Sequence, residues 1–404
     1  MFPPEIGAGP TRMLEFQQGL IVRGYDTTVL TALPNYPHGE IYPEFKGMNE
    51  SWDENNKILR TNIRPFKKKS ILYRIVTYLS FFNSAHTGDK KHFEKGSFDI
   101  VIASSPPIFA GLAGCDIAKR HNAKLIFDIR DVWPDIGVSM GLFTGNSLQY
   151  KWLDSLNNRI LKSCQRILVT TCSDRETIKG KGFPSDNIVK IPNGASLKTF
   201  HVIEADKRQI EREKKGLNGR FVICYSGSFN QGMNDVHALV PLMRKLKDEK
   251  DILLLLIGDG ENLSEIRENI ADSKLENIIF MPHQELDELN ISLNLTDMGI
   301  IPRKKLLNGS SGGLPVKMFE CWALEKPVLL ASDSGTEERE LLENVGGGAA
   351  VSPGDIDAMA QKIIAFRDNP DLRKETGANG RKAVVDNFSR EAGLDKLVET
   401  IEGL

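Results

Sequence analysis

Short apolar runs alternate with amphipathic helical patterns along nearly the whole chain. A run of roughly four to eight apolar residues bounded by turn residues predicts a buried strand, and apolar positions three and four apart predict a helix. The predicted strands of the first half are 27–33, 58–63, 98–105, 123–129, 166–171 and 187–192. Those of the second half are 221–226, 251–257, 277–281, 298–301, 327–331 and 349–351. Strands that alternate with helices indicate βαβ units, and hence parallel sheets covered by helices on both faces.

This alternation occurs twice, and it predicts an α/β protein of two doubly wound, Rossmann-like domains that face a cleft. The predicted parts are an N-terminal domain at 1–195, a charged linker at 196–218, a C-terminal domain at 219–388 and a final helix at 389–404. We expect the final helix to pack back on the N-terminal domain.

The first strand of the N-terminal domain is missing from this pattern. A doubly wound domain normally opens with a central strand, but only Met1 and Phe2 precede the loop at 3–10. Its neighbours, 27–33 and 98–105, would then lack a partner for several backbone groups. We therefore expect the chain to be a shortened form of a longer protein whose upstream extension raises stability and activity. The alternative is that another segment fills the gap.

Composition narrows the class of protein. The chain has 404 residues and a formal net charge of −2, and no apolar run approaches the roughly 20 residues needed to cross a bilayer. Its five cysteines lack metal-ligand spacing, which predicts neither disulfides nor a zinc site and favours the cytoplasm. Residues 1–195 carry 25 Lys and Arg against 19 Asp and Glu. This half is therefore expected near phosphates or an anionic membrane surface, and no nucleic-acid partner is expected.

Glycines and charged residues stand where ligands bind in such sheets. Gly7 and Gly9 precede a helix whose free N–H groups suit a phosphate, although such loops are also common turns. Arg130 and Asp131 follow the strand at 123–129, at the edge of the sheet where ligands bind. The other interpretation of this second segment is a capping Asp beside a surface Arg.

The first two strands of the C-terminal half end in glycine-containing loops. Gly227 follows the first strand, and Gly258 and Gly260 follow the second. Small residues at these positions allow close approach of a nucleotide, or they serve only as turns.

The segment 309–322 gives the strongest chemical signal. A Gly/Ser-rich stretch opens a helix that carries Lys317 and Glu320 on one face. A cation there can meet a diphosphate, and a carboxylate can accept two hydrogen bonds from a ribose diol. The alternative is an exposed ion pair of little energetic weight.

Five short motifs stand in order along the chain. They are Pro3-Pro4-Glu5-Ile6-Gly7, Arg130-Asp131-Val132-Trp133-Pro134, Pro192-Asn193-Gly194, Gly258-Asp259-Gly260 and Pro315-x-Lys317-x-x-Glu320. With these motifs the whole chain resembles the family-4 retaining glycosyltransferases of the GT-B fold. It is most similar to the branch that shares Arg-Asp-x-Trp-Pro and includes bacterial L-fucosamine transferases and colanic-acid-type glycosyltransferases.

The resemblance implies a role for each matching residue. Glu320 would hold the donor ribose, and Lys317 would neutralise the donor diphosphate. The remaining assignments are Gly227, Gly258, Gly260 and Glu261 for the nucleotide pocket, Gly7 and Gly9 for the diphosphate and sugar, and Arg130 and Asp131 for the acceptor and the reacting sugar.

Two positions depart from the family pattern. The first Glu of the family's Glu-x7-Glu signature is Gly312 in this chain, so we expect backbone N–H groups of Gly312 and Gly313 to contact the donor sugar instead. The family's Arg and Lys after the first strand of the second domain are absent from 227–235. Arg303, or one of the lysines at 304–305, is expected to substitute for them.

The segment 65–95 combines seven basic residues with an apolar, aromatic core at 71–82. This core is too short to span a bilayer, but it can lie in the bilayer interface with its lysines at the lipid headgroups. The alternative is an ordinary domain helix with a basic rim.

We therefore expect an enzyme that transfers a sugar, such as L-fucosamine, from a UDP-sugar to a polyprenyl-diphosphate-linked acceptor in bacterial surface polysaccharide assembly, at the inner membrane surface. The reaction is expected to retain anomeric configuration and to need no metal or cofactor, because Lys317 and helix N–H groups can stabilise the leaving diphosphate. The alternatives are a nucleotide-sugar epimerase on the same scaffold and a non-catalytic sugar-nucleotide binder.

Overall fold

The computed structural model describes residues 1–5, 7–36, 39–67, 71–229, 233–260, 262–305 and 313–404. The chain forms two compact units. The first contains Met1–Asn193 together with Gly393–Leu404, and the second contains Gly194–Ala392. Each unit is an α/β arrangement with parallel sheets, as the alternation of strands and helices predicts.

The first unit contains two separate sheets. Its strands are β1 (Val29–Ala32), β2 (Glu50–Asp53), β3 (Ile58–Thr61), β4 (Ile100–Ser105), β5 (Lys124–Ile129), β6 (Arg166–Val169) and β7 (Ile188–Lys190). The smaller sheet has the order β1–β3–β2, with β1 parallel and β2 antiparallel to β3. The larger sheet is parallel throughout, in the order β4–β5–β6–β7. Strands β1 and β4, the two strands expected to lack a common partner, therefore both lie at sheet edges.

Helices cover the sheets of the first unit. They are α1 (Ala8–Val22), α2 (Ile71–His92), α3 (Ile108–His121), α4 (Asp135–Ser139), α5 (Leu148–Ser163) and α6 (Cys172–Gly180). Phe127 on β5 packs with Phe109 of α3 and Ile160 of α5, which covers one face of the larger sheet. The alternation of inward side chains along β5 places the neighbouring Ile126 on the opposite face.

The second unit is built on one parallel sheet of six described strands. They are β8 (Phe221–Ser226), β9 (Ile252–Ile257), β10 (Ile278–Met281), β11 (Met298–Pro302), β12 (Val328–Ala331) and β13 (Gly348–Val351). Their order is β10–β9–β8–β11–β12–β13, so the direction of winding reverses between β8 and β11. Ligands of doubly wound sheets bind beyond the carboxyl ends of the strands at such a reversal.

The helices of the second half lie before, between and after these strands. They are α7 (Ala205–Lys214), α8 (Leu239–Lys245), α9 (Leu263–Asp272), α10 (Leu286–Asn294), α11 (Val316–Ala323), α12 (Glu337–Val345), α13 (Ile356–Asp368), α14 (Pro370–Ala383) and α15 (Arg390–Glu402). Helix α7 lies within the segment 196–218 and belongs to the second unit. Helix α15 lies mostly in the first unit, where Leu394 and Leu397 pack with Phe16, Leu20 and Ile126.

The sequence pattern misses one strand. Strand β2 pairs antiparallel with β3 at the edge of the smaller sheet, and its four residues are only partly buried. Its sequence, Glu50-Ser51-Trp52-Asp53, has no apolar run because an edge strand needs no second buried face.

Candidate functional site

Lys317 lies in the first turn of α11, near the carboxyl ends of β8 and β11 in the second unit. Its Nζ is 4.2 Å from the centre of the Tyr225 ring, and Tyr225 is the fifth residue of β8. The pKa of Lys317 is lowered to about 8, chiefly because burial removes water from the ammonium group and next because Arg303 adds positive charge nearby. Near neutral pH the ammonium group is therefore still mostly charged.

Gly227 makes room for this ammonium group. A Cβ atom on Gly227 would lie 2.6 Å from the Lys317 Nζ, and the residue has a φ of 142°. The neighbouring loop packs just as closely, since a Cβ atom on Gly258 would lie 2.0 Å from the carbonyl oxygen of Gly227. The sequence predicts that another group approaches these glycines closely. In the structure, the Lys317 ammonium group lies against Gly227, and the Gly227 carbonyl oxygen lies against Gly258.

Arg303 follows β11 directly and is 7% exposed. Its guanidinium group donates a hydrogen bond to the carbonyl oxygen of Gly313, just before α11. Its charge also lowers the pKa of Lys317, so two cations stand close together at the reversal of the sheet. Such a pair in a poorly solvated position favours an anionic ligand with more than one charge.

Glu320 lies one turn after Lys317 on α11, and its charge raises the pKa of Lys317. The backbone N–H of Gly260 donates to the side chain of Asp259 at 2.7 Å, so this N–H is already engaged within its own loop. The two other predicted donor contacts, Glu261 and Gly312, lie outside the described residues.

In the first unit, the structure brings the glycine loop to Arg130. A Cβ atom on Gly9 would lie 1.8 Å from an Nη atom of Arg130, so a side chain at position 9 would displace this guanidinium group. Arg130 donates to the carbonyl oxygen of Pro106 at 3.1 Å, and its buried Nε has no hydrogen-bond partner in the described part of the chain. Burial lowers the pKa of Arg130, with Asp128 and Asp131 acting in the opposite direction. Gly7 precedes α1, and its carbonyl oxygen accepts from the backbone and side chain of Thr11.

A buried ion pair that the sequence pattern does not reveal supports this loop. Arg12 of α1 donates to Asp128 Oδ1 at 3.0 Å, and the two side chains are 7% and 0% exposed. The other oxygen of Asp128 accepts from Ser104 at 2.9 Å. The sequence does contain one sign of this pair: Asp128 lies inside the apolar strand β5, and a buried carboxylate needs a cation nearby.

The described residues contain neither a candidate metal cluster nor a candidate membrane-spanning helix. No group of three or more His, Cys, Asp or Glu side chains in these ranges is arranged to hold a metal ion. No described helix is long and apolar enough to cross a membrane.

Comparison with known families places each half of the chain. A family model described as "Glycosyl transferase 4-like domain" matches residues 7–194. A second, described as "Glycosyl transferases group 1", matches residues 207–383. Together they account for most of the chain.

Individual relatives are distant in sequence. The chain is 24% identical over 311 residues to "Probable glycosyltransferase WbjE" of Pseudomonas aeruginosa, covering 76% of this chain and 75% of that protein. It is 25% identical over 236 residues to the capsular polysaccharide biosynthesis glycosyltransferase CapM of Staphylococcus aureus, covering 57% of each. Among solved structures, it shares its fold with HepE of Anabaena in complex with UDP, with a TM-score of 0.70, 13% identity and 96% of each chain covered.

Proposed function

This chain is a glycosyltransferase of the GT-B fold, with a glycosyl transferase 4-like domain followed by a group 1 domain, and we propose that it transfers a sugar from a UDP-sugar to a polyprenyl-diphosphate-linked acceptor. The observation that carries the donor assignment is the pair of cations, Lys317 and Arg303, at the reversal of the second sheet. Support for UDP comes from HepE, whose structure holds that nucleotide. Support for surface polysaccharide assembly comes from the likeness to CapM.

The proposed chemistry places the leaving diphosphate at Lys317. Negative charge grows on this group as the bond to the sugar breaks, and a fixed ammonium group in a poorly solvated position stabilises that charge without reorganising. Arg303 adds a second positive charge there. We propose that no metal or cofactor takes part, and that the departing phosphate accepts the proton of the acceptor hydroxyl, with retention at the sugar carbon.

The acceptor side of the reaction is assigned to Arg130 and Asp131 at the end of β5. Gly7 and Gly9 are proposed to contact the diphosphate and sugar side, and the absence of a side chain at Gly9 leaves room for the Arg130 guanidinium group beside this loop. An acetylated amino sugar such as L-fucosamine remains the proposed donor sugar, on the Arg-Asp-x-Trp-Pro motif at 130–134.

The experiment that tests this function offers a panel of UDP- and GDP-sugars together with a membrane lipid extract, and reads the products by mass spectrometry. A glycosyltransferase forms a glycosylated lipid and releases free UDP only when the acceptor is present. Conversion of the UDP-sugar without acceptor would favour an epimerase, and binding without turnover on any lipid would favour a non-catalytic binder. Both matched family models describe glycosyl transferases, which favours the first outcome.

Glu320 is proposed to hold the donor ribose. Glu320→Gln is expected to weaken UDP binding by about 1–3 kcal/mol, because an amide accepts hydrogen bonds from a diol less strongly than a carboxylate does. Titration calorimetry with UDP measures this loss. Glu325→Gln is the matched control, since Glu325 follows α11 and its side chain is 51% exposed. Equal affinity of the two variants would remove Glu320 from the site.

Helix α2 is proposed to lie on the inner membrane surface. Its side chains Val76 and Leu79 are 44% and 41% exposed, and Lys67 precedes the helix. The double change Val76→Ser with Leu79→Ser is expected to lower binding to phosphatidylglycerol vesicles about tenfold or more, because each apolar side chain contributes about 1.5–3 kcal/mol when buried.

A matched control exists on α1, where Ile21 and Val22 are 49% and 84% exposed. Replacing both with serine removes at least as much exposed apolar surface from a helix whose adjoining basic residue, Arg23, is paired with Asp395. Co-sedimentation with vesicles compares the two double variants. An equal loss in both, or no binding by the unaltered chain, would contradict the interfacial assignment of α2.

A further inference from the structure

The ammonium group of Lys317 is held by an aromatic ring. Its Nζ lies 4.2 Å from the centre of the Tyr225 ring, and among the described residues it forms no ion pair with a carboxylate. A cation over the face of a tyrosine is attracted by the negative face of the ring. Unlike a carboxylate, the ring leaves the net charge of the lysine intact.

Tyr225 itself is firmly fixed. The residue is 0% exposed, and its hydroxyl donates to the carbonyl oxygen of Ser228 at 2.8 Å. Phe229 packs edge-on against this ring, with ring centres 5.6 Å apart. The ring therefore has one orientation, with its face toward Lys317.

The other groups around Lys317 do not replace this contact. Arg303 repels the ammonium group, whereas Glu320, Cys321 and Cys224 raise the pKa of Lys317. Gly227 has no side chain, and Nζ occupies the space that a Cβ atom would need, so no side chain at position 227 holds the ammonium group. The ring of Tyr225 is the contact that fixes where the charge stands.

We propose that Tyr225 is a positioning residue, which holds the Lys317 ammonium group charged and in place for the diphosphate of the donor. This inference rests on the proposed role of Lys317. It predicts that loss of the ring weakens binding of the diphosphate and leaves binding of the nucleoside unchanged.

The experiment measures UDP and uridine affinity by calorimetry in matched variants. Tyr225→Leu is expected to weaken UDP binding roughly 10- to 30-fold, since a desolvated cation–ring contact has about this effect, and to leave uridine binding unchanged. Tyr225→Phe keeps the ring and is expected to restore most of the affinity. Phe221→Leu is the control, because Phe221 lies on the same strand and the same core face with Arg373 5.3 Å above its ring.

A variant of nearly the same shape separates loss of the cation–ring contact from a defect in folding. Trifluorophenylalanine at position 225 keeps the size of phenylalanine but weakens the negative face of the ring, so it is expected to bind UDP several-fold more weakly than Tyr225→Phe does. Equal affinity of these two variants would overturn the positioning role.

A double-variant cycle separates this inference from the proposed function. In a Lys317→Met background, Tyr225→Leu is expected to cause no further loss of UDP affinity, because the ring acts through the lysine. An undiminished loss in that background would overturn the inference alone. Absence of UDP binding by the unaltered chain would overturn the proposed donor and the inference together.

Discussion

Replacing Lys317 with methionine is expected to lower turnover by about 100-fold or more, because the leaving diphosphate loses its fixed positive partner. Methionine keeps most of the length of the side chain, so the ring of Tyr225 stays covered. Steady-state release of UDP in the presence of acceptor measures the effect. Lys326→Met is the matched control, since the pKa of Lys326 is also lowered to about 8 by burial and it lies beyond the other end of α11.

The pH dependence of binding gives a second measure of the same group. In the free protein Lys317 carries its proton below about pH 8 and loses it above. UDP affinity of the unaltered chain is therefore expected to fall as pH rises through about 8, and the methionine variant is expected to lack this fall. Rates and pH profiles equal to those of the Lys326 variant would remove Lys317 from the reaction.

Arg12→Met is expected to destabilise the first unit by about 3–5 kcal/mol, because it leaves the buried carboxylate of Asp128 without its cation. Urea unfolding followed by tryptophan fluorescence measures this loss. Three of the four tryptophans, Trp52, Trp133 and Trp152, lie in the first unit and report on it.

Two further variants make this result specific. Lys57→Met breaks the ion pair with Asp26 at the surface, and its expected cost is below about 1 kcal/mol. Adding Asp128→Asn to Arg12→Met is expected to recover part of the lost stability, because the buried charge is then gone. Equal stability of the Arg12 and Lys57 variants would mean that Asp128 needs no cation.

The strands of the second unit are predicted from the sequence to within one or two residues. Strand β9, for example, reads Ile-Leu-Leu-Leu-Leu-Ile, and every residue in it is buried. A strand in a sheet that is covered on both faces has apolar residues at every position, so a continuous apolar run in the sequence predicts it directly. Strand β2 has no such apolar run, because it is held by backbone pairing with β3 at the edge of the smaller sheet.

The candidate site is only partly visible in the sequence. The spacing of Lys317 and Glu320 predicts a shared helix face, since it depends on local geometry alone. The contact of Lys317 with Tyr225 depends on how α11 packs beside β8, and the pairing of Arg12 with Asp128 joins residues 116 positions apart. Local patterns carry no information on such contacts. A glycine at position 227 predicts that another group packs closely there, but the sequence does not identify that group.

The path of the chain has a consequence for dividing this protein into fragments. Helix α15 supplies Leu394 and Leu397 to the core that also contains Phe16 and Ile126. The first unit is therefore made of two segments that are separated in the sequence by the second unit. A gene fragment that stops near residue 193 would leave this apolar surface uncovered and prone to aggregation. Domain exchange with a relative therefore has to move two separate segments together, the long one and its last twelve residues at 393–404.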